Sequence, residues 1–103
     1  MTTNEDVARV TNAAVEMVDG TVGVVVPDGW REEVESVLGP RDAERVPVLE
    51  ALDTKGLEFD AIVVVEPDRI AAESETGIRT LYVVLTRATQ QLDIVGTSSR
   101  WRP

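Results

Sequence analysis

Two short stretches hold the residue types that could do chemistry. The first is Asp53-Thr54-Lys55-Gly56-Leu57-Glu58-Phe59-Asp60, and the second is Leu81-Tyr82-Val83-Val84-Leu85-Thr86-Arg87-Ala88-Thr89. The chain has no histidine and no cysteine. This removes the usual general base near neutral pH, the usual zinc ligand, thiolate metal sites and disulfides, so no metal site is expected. The cations are arginines and a single lysine, Lys55. An arginine fork stays charged and binds phosphate oxygens in pairs. A carboxylate such as Glu58 accepts hydrogen bonds from hydroxyls, as a sugar would offer. Gly56 permits a close backbone approach or a left-handed turn. Taken one by one, each has a plainer reading. Arg87 would offset a helix dipole, Glu58 would be a solvated turn residue, and Gly56 a turn glycine.

The elements that must position these residues follow from periodicity. Residues 4–18 have Val7, Val10, Ala14, Met17 and Val18 at helical spacing, with Gly20 as a stop. Thr21–Val26 is short and β-branched, and reads as a buried strand. Asp28 could cap a helix over Trp30–Leu38, which Gly39-Pro40 ends. Arg45–Ala51 is a second strand, with Pro47 at an irregular start. Asp60–Val65 is the clearest strand, because an unbroken apolar run suits a parallel strand covered on both faces. Thr76–Thr89 reads as a helix with Ile78, Leu81, Tyr82 and Leu85 on one stripe, and Gln91–Gly96 as a last strand. Phe59 and Tyr82 read as core and Trp30 as helix-start packing. Alternation of this kind predicts one α/β domain over residues 1–103, a mainly parallel sheet between two layers of helix. Ligands in such sheets sit at the carboxyl ends of strands, which directs attention to Pro27–Arg31, Asp53–Phe59 and Glu66–Ile70.

The two chemical stretches together resemble motifs V and VI of superfamily 1 helicases of the UvrD/Rep type, closest to helicase IV-like proteins. Those families show a KGLEF-type segment, a strand, and then an LYVALTRA-type helix, in the order found here between Leu49 and Thr89. The resemblance implies a RecA-like domain of the P-loop NTPase type, the second motor half of an ATP-dependent helicase. It also implies that Arg87 is the arginine finger that reaches ATP and Mg²⁺ held by an N-terminal RecA-like half. Positive charge on the γ-phosphate is what phosphoryl transfer requires. Glu58 is implied to bond the ribose, with Gly56 and Lys55 beside the nucleotide, and Arg31 to supply the γ-phosphate arginine of motif IV. Arg79 would order the cleft, or pair with Glu73 or Glu75. Lys55 is not a P-loop lysine, since no GxxxxGK[ST] pattern occurs in the chain.

The pattern departs from the family in one place. A TxH-type stretch that contacts single-stranded DNA is replaced by Glu50-Ala51-Leu52-Asp53, whose carboxylates repel phosphate. The formal charge of −9, from 19 acids and 10 bases, points the same way. Nucleic acid would be reached through the full-length protein. A second reading makes the acidic surface a docking module for a basic partner such as RNA polymerase, and a third makes the chain an unrelated flavodoxin-like domain. No apolar run approaches a membrane span, and the N-terminus is polar and acidic. With the lack of cysteine, this points to a cytoplasmic protein.

Overall fold

In the computed structural model, residues 2–42, 44–72 and 77–96 are described. Four parallel strands form one sheet in the order β2-β1-β3-β4. They are β1 (Val22–Val26), β2 (Val48–Glu50), β3 (Phe59–Val65) and β4 (Ala88–Val95). Helices α1 (Thr2–Met17) and α2 (Arg31–Leu38) precede and follow β1. A 3-10 turn (Ala51–Thr54) follows β2, and α3 (Pro67–Ala72) and α4 (Gly77–Leu85) connect β3 to β4.

The strands explain the layers. Ala61 through Val65 have no exposed surface at all, so β3 must be covered on both faces. Side chains alternate across a strand. Val22, Val24, Val26, Ala61, Val63 and Val65 therefore meet Val7, Ala14 and Val34 of α1 and α2. Val25, Ile62 and Val64 meet Ile70 of α3 and Leu81 and Val84 of α4 on the opposite side. The three-layer arrangement expected from the alternation of elements is present. Phe59 stands at the start of β3, beside a register shift between Phe59 and Ala61. It packs in the α3/α4 layer while Ala61 packs in the α1/α2 layer. Gly23 leaves the space for it, since a Cβ there would stand 3.1 Å from two atoms of the Phe59 ring.

The end of α1 is held by a residue with no sequence pattern to mark it. The last carbonyls of a helix lack partners and carry its partial negative charge. The Arg45 guanidinium supplies three donors there. Nε donates to the Gly20 carbonyl at 3.1 Å, and Nη2 to those of Val15 and Val18 at 2.9 and 2.8 Å. The backbone of Arg45 also accepts from the Val22 N–H at 2.8 Å, which starts β1 beside the approach to β2.

Several boundaries differ from those expected. β2 covers only Val48–Glu50, because Glu50 and Asp53 form a reciprocal cap that winds the chain into the 3-10 turn. The N-cap position of α2 falls on Trp30 and not on Asp28, and Trp30 makes no side-chain cap. The Gly29 N–H goes instead to the Glu50 carboxylate at 3.0 Å. α3 arises where only a break was foreseen. Glu66 takes a left-handed backbone (φ 50°), and its carbonyl accepts from the Arg69 and Ile70 N–H groups. α4 stops at Leu85 and β4 begins at Ala88, three residues early. Tyr82 is 68% exposed and not core, and so is Met17 on α1. In a run as apolar as Leu81–Leu85, spacing alone does not single out a face, and Leu81 and Val84 are the pair that is buried.

Two measurements check this account. Arg45→Ala should lower unfolding free energy by about 2–3 kcal/mol in urea, with an unchanged m-value, as partners of a charge-assisted donor are lost. Gly23→Ala should cost about 1–3 kcal/mol by overpacking. Combined with Phe59→Leu, the two changes should couple, and strictly additive effects would exclude the contact.

Candidate functional site

The sheet brings two of the expected residues to one place. Phe59 pairs with Ala88, and the Phe59 N–H donates to the Arg87 carbonyl at 2.9 Å. Glu58 and Arg87 therefore stand side by side, each one residue ahead of a strand, at the amino edge of the sheet. This is the opposite edge from the one that strand carboxyl ends would suggest. A hydrogen bond from the Thr89 hydroxyl to the Phe59 carbonyl at 3.3 Å braces the same junction.

Local chemistry sets the position of Arg87. The Thr86 hydroxyl donates to the Val83 carbonyl at 2.7 Å, and the Arg87 N–H to the Val84 carbonyl at 3.0 Å. These bonds finish α4 within two residues and turn the chain into β4. The side chain is half-buried, its Nε is enclosed, and that atom has no hydrogen-bond partner. Among the described residues the guanidinium makes no ion pair, and Glu58, exposed beside it, makes none either. An enclosed polar atom without a partner costs stability, so the Arg87 Nε marks an unfilled interaction at this edge. On the approach to Glu58, Gly56 has φ 79° and the Leu57 N–H donates to the Thr54 carbonyl at 3.0 Å. Nothing lies within 4 Å of a Gly56 Cβ, so conformation, not space, calls for glycine there.

Two other expected residues stand apart from this pair. Arg31 opens α2 directly after β1, so it lies at the carboxyl edge. Strands of five to eight residues separate the two edges by about 17–26 Å at ~3.3 Å per residue. Arg31 instead pairs with Glu35 at 3.5 Å, both half-exposed. Lys55 faces a shallow groove between the 3-10 turn and α4, lined also by Ala51, Leu52, Thr54, Arg79, Thr80 and Val83. The expected partners of Arg79, Glu73 and Glu75, lie outside the described residues. The acids ahead of Lys55 are structural, because Glu50 and Asp53 cap each other and Glu50 holds Gly29. Trp30 packs partly against the α1/α2 core, with the Arg69 guanidinium 5.2 Å over its ring. Among the described residues no group of carboxylates is placed to hold a metal ion, and no helix is long and apolar enough to cross a membrane.

Comparison with known proteins bears on this edge directly. Residues 53–95 match the model of the UvrD-like helicase C-terminal domain, a span holding Glu58, Arg87 and the strand between them. The fold matches the crystal structure of the C-terminal domain of a possible DNA helicase from Lactobacillus plantarun WCFS1. The TM-score is 0.73 and the identity 21%, over 91% of this chain. The chain spans 66% of the length of that structure. A search of curated proteins found no match.

If Arg87 serves an outside ligand, it contributes little to folding. Arg87→Gln should change the unfolding free energy by less than about 1 kcal/mol, as surface substitutions do. A loss of about 3 kcal/mol on thermal or urea unfolding would mark it as a structural arginine.

Proposed function

We propose, for a chain whose residues 53–95 match the model of the UvrD-like helicase C-terminal domain, that it is the second RecA-like motor domain of a superfamily 1 helicase or translocase. ATP would lie at the amino edge of this sheet, against a partner half that carries the P-loop and the carboxylates for Mg²⁺. The 103 residues contain no GxxxxGK[ST] pattern, so phosphate binding and metal binding fall to that half. The observation that carries the reading is the pair at the edge: Arg87, with an enclosed and unpartnered Nε, beside exposed Glu58.

The chemistry suits both residues. Hydrolysis moves negative charge onto the phosphoryl oxygens, and a pre-placed guanidinium stabilises that charge more than the ground state. Arg87 would act there without accepting or giving a proton. Glu58 would accept hydrogen bonds from ribose hydroxyls and fix the nucleotide relative to the edge. Closing the partner half onto this edge would complete the site, and opening would release product, so turnover becomes movement. Arg31, at the far edge, and Lys55, on the groove, are not assigned to this site. Nothing in the comparisons points to RNA polymerase, and nucleic-acid contact is assigned to the assembled protein.

The 103-residue chain alone should show no magnesium-dependent ATPase above background, and robust turnover by the pure chain would overturn the proposal. In the parent protein, Arg87→Ala should lower kcat by about 10³–10⁵ while KM changes little, as for other arginine fingers. Arg87→Lys should not restore the rate, because an ammonium lacks the bidentate fork. Unaltered turnover by Arg87→Ala would exclude the role.

A further inference from the structure

The groove beside Lys55 has chemistry that the nucleotide site does not use. Its floor is aliphatic, from Ala51, Leu52 and Val83, and its rim carries two cations, Lys55 and Arg79. Leu52 is 74% exposed, an unusual position for a leucine in a small domain, and Tyr82 on the same helix is 68% exposed. Lys55 and Arg79 are both exposed, and among the described residues neither makes an ion pair. The chain as a whole carries −9, so a groove whose charged lining among the described residues is Lys55 and Arg79 runs against that balance.

We propose that this groove is a docking site for an acidic amphipathic protein segment. Such a segment would place one or two aliphatic side chains over Ala51, Leu52 and Val83, with carboxylates meeting Lys55 and Arg79. Charge complementarity selects that occupant. A basic segment would meet two like charges at the rim. A single-stranded nucleic acid would find no aromatic side chain among the described lining residues on which to stack its bases. The general negative charge of the domain does not forbid an acidic partner. At physiological salt, charges more than about 8 Å away are largely screened, and the nearest acids, Glu50 and Asp53, are held in their reciprocal cap, so Lys55 and Arg79 are the charges that line the groove. The proposal does not depend on the nucleotide reading.

The test uses the 103-residue chain labelled with ¹⁵N and two designed amphipathic peptides. Both carry the same leucine stripe, one with glutamate flanks and one with lysine flanks. The glutamate peptide should give saturable shifts confined to Ala51–Lys55 and Arg79–Val83, and the lysine peptide should not. In the Lys55→Glu, Arg79→Glu double variant the preference should invert, with the glutamate peptide weakened by about tenfold or more. Both side chains are exposed, so the variant should fold, and its thermal unfolding verifies that. Leu52→Ala should weaken the peptide without altering its charge preference. Equal response to both peptides, shifts elsewhere, or no saturable response would overturn the proposal. So would tighter binding of a thymidine oligonucleotide at these residues, or self-association of the chain through them.

Discussion

The arrangement rests on the burial of β3. A strand with no exposed side chain from Ala61 to Val65 is stable only with a partner on each side and a layer of helix on each face. Parallel pairing to β1 and β4 and the division of the core into two clusters are consequences of that demand. Parallel pairing also means that every strand starts at the same edge. The segments that enter β3 and β4, far apart in sequence, are thereby brought together. Glu58 and Arg87 are neighbours because two buried strands must begin side by side, with the Phe59 N–H finding its acceptor on Arg87.

The amino edge is reinforced by a second constraint. α1 must end above the start of β1, leaving carbonyls that water reaches poorly. Arg45 gathers three of them while its own backbone joins Val22 at the sheet. The two arginines at this edge show opposite uses of the same group. The Nε of Arg45 has an acceptor within the domain. The Nε of Arg87 is enclosed with none. Physical chemistry treats these differently: the first stabilises the fold, and the second costs stability for as long as it has no partner.

Much of this was legible in the sequence. The unbroken run at Ile62–Val65 specified a two-faced strand, and the β-branched run at Thr21–Val26 its neighbour. The KGLEF-type and LYVALTRA-type stretches pointed to Glu58 and Arg87, and the sheet places those two together. What was not legible depends on tertiary partners. Tyr82 sits in a run where every residue is apolar, so only the packed faces of α4 reveal that it points outward. The edge on which the pair lies could not be told from the carboxyl-end rule. That rule describes where a ligand bound by one sheet sits, and it does not reach residues placed ahead of the strands. Arg45 carries no periodic signal because its acceptors lie 25 to 30 residues away.

The stretch Glu50-Ala51-Leu52-Asp53, where the resemblance implies a TxH-type segment, is accounted for within the domain. Glu50 and Asp53 satisfy each other's backbone, and Glu50 also restrains Gly29, so these carboxylates are committed within the domain. Leu52, between them, is turned out to solvent. This segment combines internal caps with an exposed aliphatic side chain. The edge holding Arg87 and Glu58 is untouched by them, because it hangs on strand register and not on the 3-10 turn. The residues of that edge and those of the groove can therefore change independently in one small sheet.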